Sequence, residues 1–147
     1  MKSRKLTKKT KYTANEMFQL VADVRQYPSF VPACKAIDIR NKSQDGEVEY
    51  IDAVMEVGYG FLNEFFTSHI TLNKGNATIA VVNNDGPFRK LNNYWQFIDI
   101  DSGSEIHFEI DFVAKNSLTG KVINIMFERV FSKYIDAFES RANQLYN

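Results

Sequence analysis

The sequence offers few side chains with catalytic or metal-binding chemistry. It contains two histidines, His69 and His107, and one cysteine, Cys34. A zinc site needs several His or Cys ligands at short spacings, and a nucleophilic cysteine needs a base beside it. No such neighbour accompanies any of the three residues along the sequence. We therefore predict no metal site, no catalytic residue and no enzyme activity, with Cys34 as a small buried hydrophobe.

Aromatic rings are the more informative feature. The chain has 12 Phe and 7 Tyr but a single Trp. Large rings either fill an ordinary core or line an apolar cavity for a ligand, and composition does not separate the two. The distinction depends on the elements that carry the rings.

Helical signals lie at both ends of the chain. Thr13 and Glu16 match a capping box ahead of a short apolar stripe, and a second short helix or a turn is expected at residues 29–31, closed by Pro32. From residue 118 to 145, apolar residues recur every three or four positions, which predicts a long amphipathic helix with Ser117 or Thr119 as N-cap.

Between the helices the apolar period changes to two. The expected strands cover residues 36–40, 50–57, 64–72, 77–82, 91–100 and 106–114, separated by turns rich in Gly, Asn and Asp. Residues 106–114 alternate most clearly, with His107, Glu109 and Asp111 on the polar face. A further strand is expected in the lysine-rich N-terminal segment. The fold class is therefore α+β: a curved antiparallel sheet of about seven strands around one long C-terminal helix.

Length and composition fit one domain spanning residues 1–147. The single cysteine excludes an intrachain disulfide, and the sequence has neither a signal-peptide pattern nor an apolar run of about 18 residues. We therefore expect a cytoplasmic protein, either free or peripheral to the inner membrane.

The formal net charge is +0, but the charge is unevenly placed. Six basic residues and no acidic residue occupy the first eleven positions: Lys2, Arg4, Lys5, Lys8, Lys9 and Lys11. Three interpretations stay open: a lysine-studded edge strand, a contact with anionic lipid headgroups, or a contact with RNA. The neutral total argues against broad nucleic-acid binding and against a DNA partner.

Three ordered motifs carry a family resemblance. They are Asp23-Val24 with residues 27–32 (YPSFVP), Gly86-Pro87-Phe88 with Leu91, Trp95 and Phe97, and residues 138–142 (FESRA). In these motifs the chain resembles the coenzyme-Q-binding branch of the START superfamily, also called the polyketide cyclase/lipid-transport family, over residues 3 to 146. That branch includes bacterial ribosome-association toxins of the RatA type. One departure is Ala33, which removes a ring where members often carry Trp.

The resemblance implies a helix-grip (START/Bet v 1-like) fold with two short helices after the first strand. It also implies an apolar cavity that holds a prenylquinone such as ubiquinone, for a carrier or chaperone in cellular respiration. We expect no other cofactor. The candidate ligand-binding residues are Phe30, Met55, Phe65, Phe88, Trp95, Phe97, Phe108, Phe112, Phe127, Phe131 and Tyr134.

Several alternatives stay open beside the carrier hypothesis. A RatA-like regulator of translation would bind the large ribosomal subunit, with the basic N-terminus touching RNA. A cyclase would need ionisable groups facing the cavity, and the expected inward residues include almost none. His69 lies in a segment that is apolar on both faces, so it either has a structural role or donates a hydrogen bond to a quinone oxygen.

Overall fold

The computed structural model describes residues 2–146 and shows an α+β fold in the predicted element order. The first strand is followed by two α-helices with a short 3₁₀ turn between them, then by six strands and one long helix. The elements are β1 (Lys2–Thr10), α1 (Ala14–Ala22), α2 (Tyr27–Phe30), β2 (Cys34–Asp45), β3 (Val48–Tyr59), β4 (Leu62–Asn73), β5 (Thr78–Asn83), β6 (Phe88–Ile100), β7 (Gly103–Ala114) and α3 (Ser117–Tyr146).

The seven strands form one antiparallel sheet in the order β1-β7-β6-β5-β4-β3-β2. Consecutive strands from β2 to β7 are neighbours, so short turns connect them, and β1 pairs with β7 at the far edge. The sheet curves around α3, as the helix-grip prediction requires. The lysine-studded first strand is an edge strand, in the position where such charge discourages pairing with other chains.

The capping box that the sequence predicts begins α1. The Thr13 hydroxyl accepts a hydrogen bond from the Glu16 amide at 3.1 Å, and the Thr13 amide donates to the Glu16 carboxylate at 3.0 Å. These bonds satisfy two amides that the first helical turn leaves unpaired. The helix then buries Met17, Phe18 and Val21 against the sheet.

Three local predictions differ from the structure. The second helix begins at Tyr27 and not at Ser29, because Pro28 falls in its first turn, where a missing amide costs nothing. Asn116, and not Ser117 or Thr119, caps α3: its side-chain oxygen accepts from the Thr119 amide at 2.8 Å. The β2–β3 turn is only two residues long, so both strands extend beyond their predicted limits.

The two ends of the sheet are packed differently. We call one end of the sheet the hairpin end, and it carries the connections β3–β4, β5–β6 and β7–α3. The opposite end carries the connection from β1 to α1, and we call it the core end. A large apolar cluster toward the core end includes Met17, Phe97 and Phe138. A separate small cluster at the hairpin end contains Phe88, Leu91, Phe112 and Ile123. The sheet and α3 therefore enclose two apolar clusters of buried residues, and the partly buried Ile110 packs against both.

Candidate functional site: an apolar cavity between the sheet and α3

A cavity of about 210 Å³ lies between the sheet and α3. Its lining includes Trp95 and Phe108 of the large cluster together with Phe112 and Ile123 of the small one, so it occupies the space between the two clusters. Most lining atoms belong to aliphatic and aromatic side chains. Pockets of this composition bind apolar molecules, with a few polar groups to orient them.

Strand register and helical spacing bring the cavity's rings together. Trp95 and Phe108 are paired residues of β6 and β7, and their ring centroids lie 4.7 Å apart. On α3, Phe127 and Phe131 are one turn apart, and they contact Phe112 at 5.3 Å and Phe108 at 5.7 Å respectively. One face of α3 therefore supplies one wall, and the concave face of the sheet supplies the other.

The structure places eight of the eleven sequence candidates in the cavity wall. These are Met55, Phe88, Trp95, Phe108, Phe112, Phe127, Phe131 and Tyr134. The other three, Phe30, Phe65 and Phe97, do not line it.

Phe65 was assigned to the wrong face of β4. Its side chain is 56% exposed on the convex face of the sheet, whereas its neighbour Phe66 lines the cavity and contacts Phe88 at 5.4 Å. Because Phe65 and Phe66 are adjacent, the alternation of β4 alone does not show which of the two rings faces inward. The pairing of Phe66 with Met55 on β3 decides the face, since directly paired residues of neighbouring strands point the same way.

Phe97 and Phe30 are packed in the large cluster instead. Phe97 contacts Phe18 of α1 edge-on at 6.1 Å, on the core side of Trp95. Phe30 contacts Phe138 at 5.2 Å, which anchors α2 on α3. The segment 27–32 still reaches the cavity, but through Tyr27, Val31 and Pro32 rather than through Phe30.

Several polar side chains in the cavity wall were missed as site residues. Asn93 accepts a hydrogen bond from the Trp95 indole at 2.9 Å and donates to the Glu109 carbonyl at 2.9 Å. Asn83 donates to the Ser68 hydroxyl at 2.7 Å. The alternation of β6 already put Asn93 on the same face as Trp95. A polar residue on an otherwise apolar face is a sequence signal that could have identified Asn93 as a residue of the cavity wall.

Burial holds three ionisable groups of the cavity wall in their neutral forms, and one of them is Tyr27, whose pKa it raises well above the usual value. Burial raises the pKa of the Cys34 thiol to about 11 and raises the pKa of the Tyr134 hydroxyl above its usual value. A protonated thiol is a poor nucleophile, which agrees with the expectation of Cys34 as a small buried residue. Glu64 also borders the cavity. The expectation of almost no ionisable residue on this face therefore needs correction.

Both histidines lie outside the cavity. The His69 imidazole contacts the Asp52 carboxylate at 2.8 Å on the convex face, so the hypothesis that it orients a quinone is wrong. His107 contacts Glu105 at 2.8 Å, also on that face. Within residues 2–146, no group of three His, Cys, Asp or Glu side chains is arranged to hold a metal ion.

The basic N-terminal strand is largely neutralised by the protein's own acids. Lys2 and Arg4 both pair with Glu128 of α3, and Lys8 lies 3.2 Å from Asp136. The carboxylate of Glu128 has a lowered pKa because Lys2 hydrogen-bonds to it and both cations attract its charge. These pairs tie β1 to α3, so much of the charge stabilises the fold locally. Among the described residues, no helix is long and apolar enough to cross a membrane.

Known proteins similar to this chain include a ribosome-association toxin and a coenzyme-Q-binding protein. The Ribosome association toxin RatA of Escherichia coli K12 is 33% identical over 141 residues, covering 92% of this chain and 84% of that protein. The mitochondrial Coenzyme Q-binding protein COQ10 of Drosophila melanogaster is 31% identical over 131 residues, covering 86% of this chain and 52% of that protein.

Solved structures agree on the fold. An 18 kDa protein of Caulobacter crescentus is 36% identical and superposes with a TM-score of 0.82 over 99% of both chains. A START superfamily protein of Mycobacterium smegmatis is 17% identical with a TM-score of 0.81, covering 97% of this chain and 98% of that one, which shows shared fold alone. The family model described as polyketide cyclase / dehydrase and lipid transport matches residues 10–139. The chain therefore belongs to this family of START-like proteins.

Proposed function

We propose that this protein binds a prenylquinone such as ubiquinone, or a lipid of similar shape, between the sheet and α3, and carries it for respiratory electron transport. The observation that carries the proposal is the apolar cavity between the two packed clusters. The similarity to a protein named for binding coenzyme Q supports the choice of ligand.

The cavity volume suits one end of such a molecule. In a different protein, an apolar cavity of about 150 Å³ holds benzene, which corresponds to roughly 25 Å³ per carbon. On that scale 210 Å³ takes about eight carbons: a substituted ring, or one to two isoprene units. At about 0.8 kcal/mol per buried carbon, this contributes about 6 kcal/mol before the costs of association. The rest of a long tail would extend beyond the cavity.

Fluorescence of Trp95 gives a direct test, since it is the only tryptophan, is 2% exposed and lines the cavity. The probe is ubiquinone-2, which has two isoprene units and a quinone head that quenches indole emission on contact. We expect saturable quenching with one ligand per protein. Free N-acetyltryptophanamide corrects for absorption by the quinone, and quenching that merely equals this control contradicts the proposal.

A second candidate function rests on the similarity to the ribosome-association toxins, which covers 92% of the chain. On this proposal the protein associates with the large ribosomal subunit. Purified protein is sedimented with large subunits through sucrose at low and high salt. Stoichiometric co-sedimentation at low salt supports the proposal, and recovery at the top of the gradient at both salt concentrations contradicts it. The two candidate functions do not exclude one another.

We propose no enzyme activity. An aromatase/cyclase of Streptomyces sp. R1128 superposes with a TM-score of 0.86, but at 16% identity this likeness shows the fold alone. Cys34 and Tyr134, whose raised pKa values keep them protonated, do not provide a nucleophile and a base.

A further inference from the structure

We propose that the Tyr134 hydroxyl donates a hydrogen bond to a carbonyl oxygen of the bound ligand and so selects molecules with an acceptor on their ring. This inference rests on the proposed function, and it also fixes the ligand's direction. The quinone head would lie toward the core end, and the tail would run along α3 toward the hairpin end.

Tyr134 stands at the core-end limit of the cavity wall on α3. Its ring contacts Phe138 at 5.1 Å, Phe108 at 5.9 Å and Trp95 at 6.2 Å, so its position is fixed by packing. Phe131 and Phe127 follow toward the hairpin end. The residue is partly buried and lines the cavity, and its hydroxyl makes no hydrogen bond to the described residues 2–146.

Several other polar groups around the cavity already have hydrogen-bond partners. The Trp95 indole donates to Asn93, Asn83 donates to Ser68, and the Tyr27 hydroxyl donates to the Val21 carbonyl. The Tyr134 hydroxyl borders an apolar cavity, where a molecule that enters can supply its partner, and a polar group left without a hydrogen bond in such surroundings is costly. We therefore expect a bound ligand to supply the hydrogen-bond acceptor for the Tyr134 hydroxyl.

The environment also keeps the hydroxyl in its donor form. Burial raises the pKa of Tyr134, and the nearby Cys34 thiol opposes ionisation further. The proton therefore stays on the oxygen throughout the physiological pH range. A carbonyl oxygen can accept this hydrogen bond, whereas a plain hydrocarbon has no acceptor for it. Affinity should accordingly depend on an acceptor on the ligand's ring as well as on apolar area.

The test compares two probes and two variants. Ubiquinone-2 has ring carbonyls, and geranylbenzene keeps a ring and two isoprene units without any oxygen. Tyr134→Phe removes one oxygen and leaves the ring packing intact, and Tyr94→Phe makes the same change on the outer face, where the side chain is 40% exposed. Affinities come from Trp95 fluorescence for the quinone and from calorimetry for the hydrocarbon.

We expect Tyr134→Phe to weaken ubiquinone-2 binding roughly five- to twentyfold and to leave geranylbenzene binding equal or tighter. Tyr94→Phe should change neither affinity. Infrared difference spectra of bound ubiquinone-2 add an independent signature, because the hydrogen bond lowers one carbonyl stretching frequency. That frequency should rise in Tyr134→Phe.

The outcomes separate this inference from the proposed function. Equal ubiquinone-2 affinity and an unchanged carbonyl stretch in Tyr134→Phe overturn the role of the hydroxyl but leave quinone binding standing. Equal losses for both probes show that Tyr134 acts only by packing, which also overturns the inference. Failure of the wild-type protein to bind ubiquinone-2 refutes both. Circular dichroism and thermal melting confirm that each variant is folded.

Discussion

Filling half of the cavity with a protein side chain should weaken ligand binding strongly without unfolding the protein. Val81 on β5 lines the cavity and pairs with Ile70 and Asn93, two buried residues that face the same way. Val81→Phe adds roughly four carbon atoms, which at about 25 Å³ per carbon take about 100 Å³, or half of the 210 Å³ cavity. A ligand then loses the burial of about four carbons.

The expected cost follows from that displaced area. At about 0.8 kcal/mol per carbon, ubiquinone-2 should bind Val81→Phe about 3 kcal/mol more weakly, or roughly a hundredfold. The unliganded variant should be as stable as the wild type or up to about 2 kcal/mol more stable, because empty volume costs about 24 cal/mol per Å³. Quenching of Trp95 measures the affinity, and urea denaturation measures the free energy of unfolding.

The adjacent residue provides a matched control. Val82 is 42% exposed on the convex face, so Val82→Phe adds the same atoms outside the cavity. It should leave ubiquinone-2 affinity within about twofold of wild type. Undiminished binding by a folded Val81→Phe protein would refute the cavity as the binding site. Equal losses in both variants would show a general effect on the sheet instead.

Three further predictions test the packing, the ion pairs and the thiol. Phe66→Ala should lower the free energy of unfolding by about 2–3 kcal/mol, and Phe65→Ala by less than about 1 kcal/mol, in urea denaturation. The wild type should melt above Glu128→Gln at pH 7, and this difference should vanish as the pH falls through the lowered pKa of Glu128, because protonation breaks the pairs with β1. With a pKa of about 11, roughly a thousandth of Cys34 is thiolate at pH 8, so iodoacetamide should label it slowly, and more slowly with ubiquinone-2 bound.

Each of these has a contrary outcome. Equal destabilisation by the two alanine variants would contradict the different burial of the two rings, and a larger loss for Phe65→Ala would mean that β4 has the opposite face inward. A melting difference that persists at pH 2 would assign Glu128 a role other than ion pairing. Labelling of Cys34 at an unchanged rate with ubiquinone-2 present would place the ligand away from the thiol.

The sequence predicted the elements well because their signals are local. The capping box at Thr13, the alternation of residues 106–114 and the three-four spacing along α3 each depend on a few neighbouring residues. The prediction was wrong where pairing with a distant strand decides which face of the sheet a side chain occupies. Phe65 and Phe66 could not be assigned from β4 alone, because their faces follow from the register with β3.

The cavity itself is a collective property. Phe97 and Trp95 share one face of β6, yet the first packs under α1 and the second borders open space. That difference depends on where α1 ends and how far α3 lies from the sheet, which no local pattern encodes. The family resemblance, carried by ordered motifs across nearly the whole chain, was therefore the stronger guide to a cavity. It did not identify the hydroxyl of Tyr134 as an unpaired donor.

The most direct test of the cavity as a lipid site is to identify what the protein carries. Protein purified without detergent from a ubiquinone-producing bacterium is extracted with organic solvent, and the extract is analysed by mass spectrometry beside an extract of Val81→Phe. The account predicts a prenylquinone or similar prenyl lipid approaching one molecule per wild-type protein, and strongly depleted from the variant. An extract without lipid, or with equal lipid from both proteins, would contradict it.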